Sequence, residues 1–159
     1  MAYNFIKAKD SNCIGEQEFA TAKEIKFSKF TSCIGVIAKK GDLLTAVHLV
    51  QLGVDKYHSK DDKNPPTEGF NPNTAAYVTT ALLPEKPDAV AIVGFISDWN
   101  NPKAVSPQTH AGFLKLTGEC KQLKKYQTHK ILDEHNSAVY AAKIVGNEIV
   151  ITYQGSTDY

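Results

Sequence analysis

Apolar and polar positions alternate along Ile25-Lys26-Phe27-Ser28-Lys29-Phe30, the pattern of a strand with one buried face. Two apolar, partly β-branched runs follow at 34–38 and 43–49. They flank Lys39-Lys40-Gly41-Asp42 and predict a hairpin. Residues 55–73 are polar and rich in Asn, Asp, Lys and Pro, which predicts a long loop of the lid or recognition kind. Asn73 then supplies a cap for a helix over 74–83, stopped at Pro84, with Ala75, Val78 and Leu82 as its buried stripe. The run 89–96 is almost wholly apolar and reads as a central strand covered on both faces. Ser106-Pro107 opens a second helix, which carries Phe113, Leu116, Cys120 and Leu123 on one face and should end near Tyr126. Runs at 138–145 and 148–154 flank Gly146-Asn147 and predict a closing hairpin. Residues 1–24 carry no clear period.

This order of strands, helix, strand, helix and strands predicts an α+β fold. Its sheets are mostly antiparallel and sandwich-like, with two helices packed against them. A chain of 159 residues with 42% hydrophobic and 22% charged positions suits one domain spanning 1–159 with a substantial core. No run is long and apolar enough to span a membrane. The first residues, Met1-Ala2-Tyr3-Asn4-Phe5-Ile6-Lys7, lack a secretory signal pattern. The expectation is a cytoplasmic protein, or one delivered to a target cell by another route. Every basic residue is lysine, and the net charge is only +1. Bidentate arginine reading of guanine is therefore absent, which argues against base-specific nucleic-acid binding.

The hairpin supplies the candidate chemistry. A two-residue Lys40-Gly41 loop would pair Lys39 with Asp42 and, counting outward, Cys33 with His48. Opposed residues of an antiparallel pair have Cβ atoms roughly 4.5–5.5 Å apart. A thiol and an imidazole at that spacing are the minimum for a nucleophile and its base. Each residue alone is ordinarily a packed core group; the opposed placement sets the pair apart. Cys13, Cys33 and Cys120 form no paired motif, so a disulfide framework is not predicted and a reducing compartment fits. Cys120 reads as core. The histidines show no metal-ligand spacing with cysteines, and Asp133-Glu134-His135 reads as a solvated loop.

Ser32-Cys33 at a strand start, with His48 at the far end of the next strand, resembles a known family. These are the cysteine-histidine deamidases that share a fold with the chemotaxis receptor deamidase CheD and the catalytic domain of cytotoxic necrotizing factor toxins. The order of elements over roughly 25–155 is similar too. The family usually has glycine beside the cysteine, where this chain has Thr31 and Ser32. CheD-type members orient the histidine with a threonine several residues before the cysteine; here that stretch is Phe27-Ser28-Lys29. Ser28 or a backbone carbonyl is left to fill the role.

The resemblance implies a cysteine-dependent protein glutamine deamidase. Cys33 attacks a side-chain carboxamide, His48 moves the proton, and backbone N–H groups near Thr31 and Ser32 hold the oxyanion. Gly35 and Ala46, by their size, leave room beside the pair, and Trp99 is a candidate lining of the substrate cleft. A thiol beside an imidazolium is expected to ionise well below about 8.5. The implied partner is a glutamine-bearing protein, and no metal or organic cofactor is needed. The alternatives are a catalytically silent binding module on the same fold (adaptor, inhibitor or immunity-type), or another small cysteine amidase or transglutaminase.

Overall fold

The computed structural model describes residues 2–61, 63–123, 129–131 (backbone only) and 139–154. Its elements are β1 (Ile6–Lys7), β2 (Glu18–Ala22), β3 (Glu24–Lys26), β4 (Ile34–Lys40), β5 (Leu43–Leu49), β6 (Leu52–Val54), β7 (Thr67–Gly69), α1 (Pro72–Tyr77), β8 (Ala89–Gly94), α2 (Ile96–Trp99), α3 (Pro107–Leu123), β9 (His129–Ile131), β10 (Val139–Val145) and β11 (Glu148–Gln154). A six-stranded sheet runs β1-β2-β5-β4-β8-β9, a three-stranded sheet β11-β10-β3, and β6 pairs with β7. The pairs β2–β5, β5–β4 and β4–β8 are antiparallel, while β1–β2 and β8–β9 are parallel. The architecture is α+β with mostly antiparallel sheets, as the patterning predicts.

The β4–β5 hairpin forms, but its loop is Gly41-Asp42 rather than Lys40-Gly41. Gly41 adopts φ +62, which a two-residue hairpin turn demands at its first central position. The register is therefore displaced by two residues, and His48 lies opposite Gly35 instead of Cys33. Two residues are one full strand period, so the shift keeps His48 on the face of Gly35, the face Cys33 would share if β4 were extended by one residue. Asp88 steadies the turn, accepting from the Gly41 N–H at 2.9 Å and from Lys39 Nζ at 3.1 Å.

That face meets the three-stranded sheet through an aromatic layer. Phe27 and Phe30 pack on the His48 ring at 5.7 and 4.6 Å between centroids, and Phe30 continues to Tyr140 at 5.4 Å. Ile25 and Phe27 are buried while Glu24 and Lys26 are exposed, which is the alternation read in the sequence. The opposite face carries Ile34, Val36, Val47 and Leu49, all fully buried.

The first helix starts earlier than expected, and the second starts at Pro107 as expected. Asn71, not Asn73, caps α1, its side chain accepting from Asn73 and Thr74 N–H groups. Pro72 at the first turn favours this earlier start. A π-helical turn, Val78–Leu82, continues α1 to Leu83. Ala75 and Val78 are buried and Leu82 packs against the core edge. In α3, Phe113, Leu116 and Cys120 are buried as expected, and Ser106 Oγ accepts from the Thr109 N–H at 3.1 Å. The expected helix end near Tyr126, and Asp133-Glu134-His135, lie outside the described residues. The polar loop is shorter than expected, because β7 recruits Thr67–Gly69 into a ladder with β6. The closing hairpin has the predicted Gly146-Asn147 turn, with Gly146 at φ +63. Among the described residues, no helix is long and apolar enough to cross a membrane.

Gly94 bolts the start of β4 to β8. It has φ +110, and a Cβ there would lie 2.5 Å from the Cys33 carbonyl oxygen and 2.9 Å from the Phe30 ring. The next N–H, of Phe95, donates to that same carbonyl at 3.0 Å. Gly94→Ala should therefore cost about 2–4 kcal/mol, from backbone strain and overpacking together. Urea unfolding should show a lower midpoint at unchanged slope. A loss below about 1 kcal/mol would contradict this packing.

Candidate functional site

Cys33 immediately precedes β4 and is 2% exposed. Its Sγ donates to Glu16 Oε2 at 3.7 Å. Burial, and then the Glu16 carboxylate, push the thiol up to about 12, while backbone hydrogen bonds from Ser32 and Thr31 pull the other way. This overturns the expected depressed thiol: at neutral pH Cys33 is protonated. The physical reason is that burial outweighs the backbone donors and the nearest charge is an anion rather than an imidazolium.

His48 is fully buried within β5. Its Nδ1 lies 2.9 Å from the Ile14 carbonyl oxygen and 3.5 Å from Ser28 Oγ. A carbonyl can only accept, so Nδ1 carries the proton and Nε2 is the free base nitrogen. The close orienting partner is thus the Ile14 carbonyl, with Ser28 at the outer limit of a hydrogen bond. Nε2 is buried without a hydrogen-bond partner, a condition that ordinarily costs about 1–3 kcal/mol. Burial lowers the His48 pKa, opposed by the Ile14 bond and then by Glu16. The imidazole is neutral.

One turn therefore touches both groups. Ile14 O meets His48, Glu16 meets Cys33, and the Gln17 N–H donates to the His48 carbonyl at 3.0 Å. Gln17 holds φ 58, a left-handed conformation unfavourable to a side chain-bearing residue. Its own side chain pins it there. Nε2 donates to Asn4 O at 2.9 Å and Val54 O at 2.8 Å, and Oε1 accepts from the Val54 N–H at 2.9 Å. Gly15 N donates to Glu18 Oε1 at 2.7 Å and closes the turn. Neither Ile14 nor Glu16 is marked by the patterning, since both fall in the aperiodic N-terminal segment. Gly15 beside two carboxylates was the available signal.

No family model matches the chain, and no curated protein matches it. Among solved structures it is similar to the C-terminal domain of CNFy from Yersinia pseudotuberculosis, at 11% identity and a TM-score of 0.28. The match covers 84% of this chain and 45% of that one, so the chain spans less than half its length. A likeness this weak carries no argument about activity, and the functional reading rests on the chain's own geometry.

The remaining candidates sit differently from expectation. Thr31 and Ser32 are exposed, and the Ser32 carbonyl accepts from Trp99 Nε1 at 2.8 Å and from Gln51 Nε2 at 3.3 Å. Trp99 does not line a cleft: it is fully buried, stacked edge-on against Phe70 at 5.1 Å. Gly35 leaves no open space, because a Cβ there would lie 2.6 Å from the Phe27 ring. Its smallness admits Phe27 and Phe30 to the core instead. Ala46 is fully buried between Ala20 and Ile37 across neighbouring strands. Cys120 is buried and Cys13 exposed. Among the described residues, no three His, Cys, Asp or Glu side chains are grouped to hold a metal ion.

Because the folded-state pKa of His48 is depressed, its contribution to stability is present above the unfolded value of about 6.5 and is lost as pH falls below it. Nitrogen-15 spectra should show His48 as the neutral Nδ1–H tautomer at pH 7, titrating below that value. An Nε2–H tautomer would contradict the Ile14 hydrogen bond, and an imidazolium at pH 7 would contradict the pKa lowered by burial.

Proposed function

We propose that this chain is a cysteine-dependent amidohydrolase acting on glutamine side chains of a protein substrate. The observation that carries the reading is the buried, unpartnered Nε2 of His48, in the tautomer that a general base requires, on the strand face of Gly35, which Cys33 would share if β4 were extended by one residue. In this reading the Ile14 carbonyl is the third group, holding the ring as a triad's orienting residue does. Thiol and imidazole rest neutral, so proton transfer accompanies attack instead of preceding it. The Cys33 sulfur adds to the carboxamide carbon as its proton passes to Nε2, and the Thr31 and Ser32 backbone N–H groups face the developing oxyanion. The imidazolium returns the proton to nitrogen, the C–N bond breaks, and ammonia leaves a thioester. Water then cleaves the C–S bond, giving the carboxylate and restoring the thiol. An amine in place of water would give transglutamination.

One observation favours a second reading, a silent protein-binding module. Cys33 is 2% exposed and His48 is wrapped by Phe27 and Phe30, as core residues would be. The two readings separate on turnover. Incubated with unfolded casein as a glutamine-rich probe, the protein should release ammonia and leave the mass gain of amide-to-acid conversion on glutamines. Cys33→Ala and His48→Gln should each lower the rate by at least about 100-fold, with folding checked by circular dichroism. Ammonia release that survives Cys33→Ala, or none from the wild type, would favour the binding module.

A further inference from the structure

Glu16 is an exposed residue whose carboxylate reaches a buried thiol, and it lies within electrostatic range of both Cys33 and His48. Its backbone is not free to drift. The turn that carries it is clamped on one side by the three Gln17 side-chain hydrogen bonds and on the other by the Ile14 bond to His48. A left-handed Gln17 held in this way keeps the turn tip over the start of β4. The other charges acting on this pair of groups are Glu18, which is engaged by Gly15 N, and Lys56. The Glu16 carboxylate thus spans from solvent to the Cys33 sulfur, 3.7 Å away.

We infer that Glu16 is the specificity-determining residue of this site, its carboxylate accepting an N–H of the carboxamide presented to Cys33 and repelling a carboxylate. This rests on the reading of Cys33 as the nucleophile toward an amide carbon. A carboxamide NH2 has two donors and no charge, whereas the acid formed by hydrolysis has only acceptors and a negative charge. A fixed anion beside the sulfur therefore binds the substrate group and disfavours the product. Its contact with the resting thiol is exchanged for one with the substrate nitrogen, and the same carboxylate faces the ammonia that leaves. The chemistry needs no further reactant: the C–N bond breaks, water supplies the oxygen, and ammonia takes the proton released by the acid.

The test needs no turnover. Iodoacetamide and iodoacetate alkylate thiols by the same displacement and differ in presenting a carboxamide or a carboxylate. Labelling of native protein is followed at the Cys33 peptide, with exposed Cys13 as internal reference. Cys33 should prefer iodoacetamide over iodoacetate by roughly tenfold more than Cys13 does. Glu16→Gln should bring the two preferences within about twofold of each other while accelerating both reagents at Cys33, since the anion that raises the thiol is gone. A Cys33 preference equal to that of Cys13, one that survives Glu16→Gln, or a Cys33 that takes neither reagent would overturn the assignment. Failure of the amidohydrolase reading appears separately, as absent Cys33-dependent ammonia release from casein.

Discussion

The hydrogen bond from His48 Nδ1 to the Ile14 carbonyl, 2.9 Å long, ties the N-terminal segment to the central hairpin. It joins residues far apart in sequence, inside a core where water cannot substitute for either partner. Lost, it would leave the buried His48 N–H unsatisfied, a penalty of about 1–3 kcal/mol, while the Ile14 carbonyl would keep the Ser28 N–H at 2.9 Å. Kept, it decides which nitrogen carries the proton. The same contact thus stabilises the fold and leaves Nε2 unprotonated, as the proposed base role requires. It also positions the turn that brings Glu16 to Cys33, so the three groups depend on one backbone carbonyl.

Packing around that bond explains why small residues recur near the site. Gly35 lies opposite His48 and leaves room for Phe27 and Phe30, which seal the imidazole from solvent. Gly94 lets β8 approach the Cys33 carbonyl closely. These glycines shape the core rather than a cleft. Burial then sets the electrostatics: the thiol is held protonated and the imidazole neutral, each because its charged form is poorly solvated. A neutral pair of this kind suits a mechanism in which the proton moves as the substrate arrives. Glu16, itself exposed, reaches the thiol at 3.7 Å.

Much of the fold is legible in the chain. The period-two runs mark β4, β5, β10 and β11, and the Gly146-Asn147 turn gives its register directly. The Lys39-Lys40-Gly41-Asp42 turn does not, because the glycine fits two neighbouring loop positions and only its left-handed φ selects one. The error displaced His48 by two residues along β4, yet kept it on the same face, since strand faces repeat with that period. Asn71 and Asn73 are equally good caps by composition, and Pro72 decides between them. β1 and β2 escape notice because β1 has two residues and Gln17 interrupts the pattern by a conformation no composition rule predicts. The surroundings of Cys33 and His48 were not legible. Ile14 contributes a carbonyl, which every residue has, and Glu16 acts through a turn held by distant residues. The thiol's raised pKa could be read only from burial.

In the proposed reaction Cys33 forms a covalent acyl intermediate with His48 as its base. The direct measurement is intact mass of the protein, acid-quenched during turnover of carbobenzoxy-glutaminylglycine. An acyl adduct should appear that maps to Cys33, is released by hydroxylamine as a thioester should be, and fails to form in His48→Gln. Ammonia release with no adduct on Cys33, or an adduct that forms at the wild-type rate in His48→Gln, would contradict it.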